Sequence, residues 1–391
     1  ECVELIRQID THCGIEGETL DLDLPFIPEL YTGTHQINPS KKLMVLFGGF
    51  SIGKWEPSMI ENGGIGGSET GITHLALNFS KEYNVILVCD CKKSHVFQKN
   101  DMQIWVEPLI RYGEIIAKNT IETLVVFRFA DYITYPTNIK KVWLILEDLM
   151  FATNRNYLHN YEKLERVVVK TQFHKNFVLE RCPQLKPKIK IIGNGIDLSR
   201  FDLSIKKVKN RFIYSSSPDR GLIELVNIFH KIRDILPDAE LHCYCWFDSP
   251  IFASKHVQNE HPINKRKPEY YELRQVIKNS EYMFDHGRIG QSELANEIVK
   301  ADYWLYPTNF QETYCITALE MQYAKVKCIY YEVGALKQTI ANRGMVAKDE
   351  NEILNILKNT TCETWKIKLQ NAHDWSKQQT WQHIAKIHLQ P

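Results

Sequence analysis

The sequence predicts two doubly wound α/β domains, each built around a parallel β-sheet. Short apolar runs rich in Val, Ile and Leu alternate with longer stretches of helical periodicity. Unbroken apolar runs are typical of strands buried on both faces, as in a parallel sheet that helices cover on both sides. The length of 391 residues suits two domains of about 150–200 residues each.

The predicted strands fall into two series, one in each half of the chain. The first series is Leu43–Phe47, Val85–Val88, Leu124–Phe127, Val142–Leu146, Val167–Val169 and Ile189–Ile192. The second series is Phe212–Tyr214, Leu241–Trp246, Tyr303–Tyr306 and Cys328–Tyr331. Helical stretches such as Gly67–Phe79 and Gly221–Ile235 lie between the strands and complete a β-α-β-α alternation.

The two series of strands set the expected domain boundaries. We expect a first domain over residues 41–208 and a second over 209–370, joined near Leu203–Asn210. Residues 1–40 are a predicted extension of unknown role, and residues 371–391 a predicted C-terminal helix that crosses back to the first domain. In such sheets ligands bind beyond the carboxyl ends of the strands, so we expect the functional residues there.

Composition bounds the partners and the compartment. With 48 basic and 47 acidic residues the formal net charge is +1, so bulk charge does not favour a nucleic acid partner. No run of about 18 apolar residues occurs, and the sequence therefore predicts no transmembrane segment. Ten cysteines without a C-x-x-C pair argue against a zinc site and favour a reducing, cytoplasmic location. Because the chain begins with Glu1 rather than Met, we expect it to be part of a longer polypeptide with further domains.

A glycine-rich loop, Gly48–Trp55, follows the first predicted strand. It has the glycine and lysine spacing of a nucleoside-triphosphatase P-loop, but Trp55 stands where a Ser or Thr hydroxyl would bind Mg²⁺. The residues that follow include Pro57 and are predicted loop, whereas a P-loop opens a helix at once. We therefore do not expect a P-loop enzyme.

A second glycine-rich loop, Gly63–Glu69, directly precedes the first long predicted helix. Its glycines would let backbone N–H groups approach an oxyanion closely. It is not a dinucleotide fingerprint, because Glu69 stands where the third glycine is required. On spacing alone, a loop that merely needs residues with positive φ remains an equal alternative.

The segment Pro307–Glu320 follows a predicted strand and leads into a helix. We expect Thr313–Thr317 to be the first turn of that helix, whose free N–H groups would favour a phosphate by roughly 0.3–2 kcal/mol. Glu312 and Glu320 are separated by a little over two helical turns, so they lie near one face at different depths. Two carboxylates beside a diphosphate suit the hydroxyls of a sugar and a ribose.

This E-x7-E segment resembles the signature of the retaining GT-B glycosyltransferases in the large family 4 grouping. Further segments agree in order and spacing: Ile191–Asp197 with Phe201, Ser215–Leu222, and Asp285–Gly290 with Leu294. The similarity covers about residues 42–345. The resemblance implies the GT-B fold, with two Rossmann-like domains facing each other across a cleft. It also implies transfer of a sugar from a nucleoside-diphosphate sugar to a hydroxyl, with retention of the anomeric configuration.

The resemblance implies roles for individual residues. The implied catalytic residues are Glu312, which would hold the donor sugar, Arg220, which would pair with the diphosphate, and Glu147, which stands in the place of a cleft His. The implied ligands of the donor sugar and diphosphate are Gly64, Gly66, Gly67, Ser216, Thr313, Tyr314 and Cys315. The implied nucleoside ligands are Glu320, Gly287, Arg288 and Ile289.

The chain departs from the family pattern at two of these places. A second cation usually stands about six residues before Arg220, where this chain has Tyr214 and Ser215. Glu147 and Asp148 occupy the place of the cleft His, and they could equally cap a helix after a strand. The sequence also leaves open whether the leaving phosphate takes the acceptor proton on one face or a carboxylate forms a covalent intermediate.

Three classes of function follow from these observations. The first is a glycosyltransferase that needs no metal or other cofactor, uses a UDP- or GDP-linked donor, and acts on a hydroxyl of a glycan, a lipid or a protein-linked acceptor. The second is a catalytically inactive GT-B module that binds a nucleotide sugar or glycan. The third, a nicotinamide-dependent oxidoreductase, is disfavoured because the dinucleotide fingerprint is absent.

Overall fold

A computed structural model describes residues 38–51, 54–149, 163–248 and 267–390 of the chain. Most of the predicted extension over residues 1–40 lies outside the described residues. Two separate β-sheets organise the described part, one of eight strands in the first half and one of six in the second.

The first sheet has the strand order β3-β4-β2-β1-β5-β6-β7-β8. Its strands are β1 (Leu43–Gly49), β2 (Asn84–Cys89), β3 (His95–Lys99), β4 (Met102–Pro108), β5 (Ile121–Phe127), β6 (Ile139–Ile145), β7 (Leu164–Val169) and β8 (Ile189–Ile191). All neighbours pair in parallel except β3, which runs antiparallel to β4 at the edge. The helices of this half are α1 (Gly67–Phe79), α2 (Tyr112–Lys118) and α3 (Gln172–Arg181).

The second sheet is fully parallel, with the order β11-β10-β9-β12-β13-β14. Its strands are β9 (Arg211–Tyr214), β10 (Glu240–Cys243), β11 (Met283–Asp285), β12 (Tyr303–Tyr306), β13 (Lys327–Tyr331) and β14 (Met345–Ala347). The helices are α4 (Leu222–Ile235), α5 (Lys267–Lys278), α6 (Gln291–Lys300), α7 (Ile316–Tyr323), α8 (Leu336–Thr339), α9 (Glu350–Asn359), α10 (Cys362–Ser376) and α11 (Trp381–Leu389).

Strand β1 shows why the apolar runs specify a sheet covered on both sides. Side chains alternate across a strand, so Val45 and Phe47 belong to one buried cluster and Met44 and Leu46 to another. All four are fully buried. A strand that must bury both of its faces needs an unbroken apolar sequence, which is the pattern that predicted the parallel sheet.

Every predicted strand overlaps an observed one, and the differences lie at the sheet edges. The strand predicted to reach Trp246 ends at Cys243. The hairpin β3–β4 and the short strands β11 and β14 were not predicted. Strand β3 is only partly buried, and β11 and β14 have three residues each. Short or half-exposed strands carry too few apolar residues to give a periodic signal. Strand β4 is longer and more buried, but Gln103 and Glu107 limit its continuous apolar run to three residues.

The last helix, α11, packs against the first half of the chain. The ring of Trp381 stacks on His74 of α1 at 5.3 Å between ring centroids, and Thr380 forms a parallel β-bridge with Ile196. Arg166 Nη1 donates a hydrogen bond of 2.6 Å to the carbonyl of His388. In the described part of the chain, no helix is both long and apolar enough to cross a bilayer.

Candidate functional site

The carboxyl ends of the two sheets meet across a cleft, which their loops bridge at several points. Thr313, after β12, donates from its hydroxyl to the carbonyl of Glu147, after β6, at 2.6 Å. Gln291 Nε2, at the start of α6, donates to the Thr70 hydroxyl of α1 at 2.7 Å. The site therefore lies where parallel α/β sheets usually bind their ligands.

Glu312 and Arg220 form the centre of the second-domain side of the cleft. Arg220 Nη1 donates to Glu312 Oε1 at 2.9 Å, and the hydroxyl of Tyr306 donates to the same oxygen at 2.8 Å. Burial acts to lower the pKa of Arg220, but the Glu312 carboxylate and Tyr306 more than offset it, so the net shift is upward. The guanidinium therefore stays charged and is held in place by a buried acid.

Several polar atoms around Arg220 have no partner in the described part of the chain. Arg220 Nε, Asp219 Oδ1 and Ser215 Oγ are buried without a hydrogen bond. Ser216 Oγ lies 3.3 Å from the Tyr306 hydroxyl, which connects it to the Glu312 cluster. Buried polar atoms are nearly always paired, so an unsatisfied group beside a charged pair at a strand end indicates a binding site for a polar ligand.

The start of helix α7 differs from the sequence-based expectation. We predicted its first turn at Thr313, but the helix begins at Ile316, with Cys315 as its N-cap residue. Cys315 has a φ of +73°, a left-handed conformation that costs a residue with a side chain roughly 1–2 kcal/mol. Strain of this kind persists where the surrounding structure fixes it, often at a functional site.

The predicted diphosphate ligands Thr313, Tyr314 and Cys315 form a bent loop that precedes this helix. Their backbone N–H groups donate no hydrogen bond to another described residue. Two contacts nevertheless fix this segment. The Thr171 hydroxyl donates to the carbonyl of Thr313 at 3.0 Å. A β-carbon on Gly193 would lie 2.5 Å from the Tyr314 ring. The three N–H groups are therefore held in place and remain free to bind an anion.

Glu147, the predicted acid on the acceptor side, has its carboxylate engaged. Lys170 Nζ lies 2.5 Å from Glu147 Oε1, and Asn194 Nδ2 donates to Oε2 at 3.3 Å. Burial raises the pKa of Glu147, while Lys170 acts in the opposite direction. The carboxylate is consequently engaged by two residues of its own domain in this conformation.

The loop Gly63–Glu69 faces the second domain. Gly64 has a φ of +73°, and a β-carbon there would lie 2.9 Å from the carbonyl oxygen of Ile289. Gly66 is the N-cap residue of α1, and a β-carbon on Gly67 would lie 3.7 Å from the Ile316 side chain. The glycines thus allow a close approach of two backbones and supply positive φ, whereas binding of an oxyanion by this loop stays a prediction.

Glu69 and Asp148 lie on either side of Arg128, which the sequence reasoning did not single out. Arg128 Nη1 is 3.1 Å from Glu69 Oε1, and its Nε is 2.7 Å from Asp148 Oδ2. Arg128 has a φ of +67° directly after β5. An arginine in a left-handed conformation gives no sequence signal, because the residue type does not favour that backbone. Asp148 therefore binds a cation, and the helix that it was predicted to cap would fall on residues 150–162, outside the described part of the chain.

The predicted nucleoside ligands lie in the loop after β11 and on helix α7. Gly287, with a φ of +68°, donates its N–H to Asp285 Oδ1 at 3.0 Å. Arg288 follows it, and its guanidinium lies 4.7 Å from the Trp246 ring centroid. Glu320 is buried and forms an ion pair with Arg200 from the segment that joins the domains. Arg200 gave no sequence signal either, because its partner lies 120 residues away.

No family model matches the sequence, and no curated protein does. Several solved structures match it over most of the chain. Sucrose-phosphate synthase from Thermosynechococcus elongatus is 13% identical, with a TM-score of 0.63 over 89% of this chain and 97% of that chain. HepE from Anabaena, in complex with UDP, is 12% identical, with a TM-score of 0.61 over 89% and 98% of the chains. A glycosyltransferase from Rickettsia africae is 15% identical, with a TM-score of 0.60 over 90% and 97%.

The fold of the chain is therefore GT-B. These neighbours are GT-B glycosyltransferases, and the described part of the chain has the same two α/β domains with parallel sheets. The predicted fold class is confirmed. At this level of identity the likeness concerns the fold, and function has to be argued from the site itself.

Proposed function

We propose that the protein is a retaining glycosyltransferase, which moves a sugar from a nucleoside-diphosphate sugar to an acceptor hydroxyl. One observation carries the proposal. The Arg220–Glu312 pair lies beside polar atoms and three backbone N–H groups that have no partner among the described residues, inside the cleft of a GT-B fold. A cation and free N–H groups suit a diphosphate, and a buried carboxylate next to them suits sugar hydroxyls.

The leaving group would be stabilised without a resident cofactor. Arg220 and the N–H groups of Thr313, Tyr314 and Cys315 would bind the diphosphate oxygens, where negative charge develops as the bond to the sugar breaks. Fixed donors of this kind are typically worth about 2.7–4 kcal/mol each in transition-state stabilisation. Glu312 would accept hydrogen bonds from the donor sugar and hold its reacting carbon near the acceptor.

The state of Glu147 favours a same-face mechanism. The carbon–oxygen bond to the diphosphate breaks, a bond to the acceptor oxygen forms on the same face, and the acceptor proton passes to the leaving phosphate oxygen. Such a step needs no separate protein base. This fits a first domain in which the candidate acid is already paired with Lys170.

UDP is the first donor nucleotide to test. HepE, which shares the fold, was solved in complex with UDP. The base is read by a few loop contacts, so GDP-linked sugars belong in the same panel. Candidate acceptors are glycans and lipid- or protein-linked hydroxyls.

The test is nucleotide release from a panel of UDP- and GDP-sugars, with and without acceptors. We expect release by the wild type and a loss of about 10²–10³-fold in Glu312→Gln, because the substitution replaces a charged acceptor of the sugar hydroxyls by a neutral amide and removes the ionic partner of Arg220. Glu293→Gln, an exposed position on α6, is the matched control. Tight nucleotide binding without any release would favour the inactive GT-B module, and no binding at all would reject both functions.

A further inference from the structure

Arg288 differs from the other basic residues of the cleft in its partners. Its side chain is half-buried, yet no described acid lies within ion-pair distance of its guanidinium. The Trp246 ring, 4.7 Å away, is its one described aromatic contact. Burial lowers the pKa of Arg288, and the more distant Glu69 only partly opposes this. The result is a partly desolvated positive charge without a counter-ion of its own in the described chain.

Four other basic residues at the cleft, all in the described part of the chain, already have an acidic partner. Their pairs are Arg220 with Glu312, Arg200 with Glu320, Lys170 with Glu147, and Arg128 with Glu69 and Asp148. The diphosphate of a nucleotide sugar carries two negative charges. Arg220 cannot neutralise both charges, because it already pairs with Glu312. The usual second cation is missing, since its position is occupied by Tyr214 and Ser215.

Arg288 is held at the glycine loop of the facing domain. A β-carbon on Gly64 would lie 3.3 Å from Arg288 Nε. Two hydrogen bonds hold the residues after Arg288 against the residues that flank the Gly63–Glu69 loop. Gln291 donates to Thr70 at 2.7 Å, and the N–H of Ser292 donates to Glu61 Oε2 at 3.0 Å. The guanidinium therefore faces the loop whose glycines open the approach to helix α1.

We propose that the Arg288 side chain binds the diphosphate of the donor and supplies the second positive charge of the site. This assignment rests on the proposed function. It makes Arg288 a ligand of the phosphates, whereas the sequence predicted a ligand of the nucleoside. The Trp246 ring packs against the guanidinium of Arg288, and the N–H groups of that guanidinium remain available to phosphate oxygens. The glycine loop contacts both Arg288, at Gly64, and Ile316, at Gly67, which follows the predicted diphosphate ligands, so Arg288 would act on the same charge as Arg220.

The experiment compares UDP, UMP and uridine by calorimetry, with the guanosine series in parallel. For Arg288→Gln we expect UDP affinity to fall about 10–100-fold, UMP affinity to fall less, and uridine affinity to stay within about twofold. Arg288→Lys, which keeps the charge, is expected to retain more UDP affinity than Arg288→Gln. Arg181→Gln is the matched control, since Arg181 is an exposed arginine that also lies over an aromatic ring, that of Phe177.

The outcomes separate this assignment from the proposed function. An equal loss for uridine and UDP would return Arg288 to the nucleoside and overturn the assignment. Unchanged UDP affinity in Arg288→Gln would overturn it as well, while leaving the glycosyltransferase proposal intact. A wild type that binds no nucleoside diphosphate would reject both.

Discussion

Each domain places a glutamate and a cation at the cleft, but the surroundings of the two pairs differ. In the first domain Glu147 lies 2.5 Å from Lys170, whose side chain is 0% exposed. In the second domain Glu312 lies 2.9 Å from Arg220, whose side chain is 30% exposed. The same combination of charges is closed off from solvent in one domain and accessible to a ligand in the other.

The difference shows which pair is structural and which can bind. Both carboxylate oxygens of Glu147 have a partner inside the first domain, because Asn194 Nδ2 donates to Oε2 and Lys170 pairs with Oε1. Arg220 keeps a buried Nε without a partner among the described residues, and its guanidinium lies 3.7 Å from the ring centroid of Phe310, at the exposed edge of the site. An ion pair by itself therefore says little about function, whereas the exposure of its cation to the cleft does.

The largest expected effect is on stability in the first domain. Lys170→Met would leave the Glu147 carboxylate buried without its cation and should lower the free energy of unfolding by about 3–5 kcal/mol. Urea denaturation measures this. The double variant Lys170→Met with Glu147→Leu removes both charges and should regain most of the loss. A single variant as stable as the wild type would show that the pair is not buried in solution.

The second effect is on turnover in the second domain. Arg220→Gln should lower kcat by about 10²–10³-fold, because one donor to the leaving diphosphate is lost. Its effect on unfolding should be smaller than that of Lys170→Met, since Arg220 is partly exposed. Nucleotide release at saturating donor measures the rate. A rate within about threefold of the wild type would show that Arg220 does not face the leaving group.

The third expected effect is a dependence of stability on pH, caused by His174 next to Lys170 in the first domain. The Nδ1 atom of His174 accepts the backbone N–H of Lys170 at 3.3 Å. Burial, with Lys170 as the next cause, lowers the pKa of His174 to about 4. Because this value lies below the unfolded value of about 6.5, the contribution to stability is complete above pH 6.5 and is lost as the pH falls toward 4.

Between the unfolded and the folded pKa, the free energy of unfolding falls by about 1.4 kcal/mol for each pH unit. The wild type should therefore lose about 2 kcal/mol more between pH 7 and pH 5 than His174→Gln does. Chemical denaturation at the two pH values measures the difference. The same pH dependence in both proteins would show that His174 is not buried in its neutral form.

The smallest expected effect is a difference in UDP affinity between alanine variants of two neighbouring glycines in the Gly63–Glu69 loop. Both have positive φ, +84° at Gly63 and +73° at Gly64. A β-carbon at Gly63 meets nothing within 4 Å, whereas at Gly64 it lies 2.9 Å from the Ile289 carbonyl. Gly63→Ala should cost about 1 kcal/mol of backbone strain, and Gly64→Ala should weaken UDP binding in addition. Equal UDP affinities would show that the loops do not meet in solution.

The sequence predicted the central strands and the cleft residues because both depend on local pattern. Strands buried on two faces need unbroken apolar runs, and Glu312 and Arg220 lie in segments that follow such strands. The role of Arg220 and Glu312 as ligands of the donor stays a prediction that the variants above test.

The partners of these residues could not be predicted, because they come from distant parts of the chain. Lys170 and Arg200 have ordinary sequence surroundings, and only the fold brings them to Glu147 and Glu320. The late start of α7 depends on the left-handed backbone of Cys315, which a cysteine does not signal. Charge patterns within one sequence therefore identify candidates but not which of them remain free to bind.

The most direct test of the difference between the two pairs is calorimetric binding of UDP and GDP to two variants. We expect Arg220→Gln to lose at least about tenfold in nucleotide affinity, while Lys170→Met with Glu147→Leu binds as the wild type does. Equal affinity in Arg220→Gln and the wild type, or a loss confined to the first-domain variant, would contradict the assignment of the open pair as the binding site.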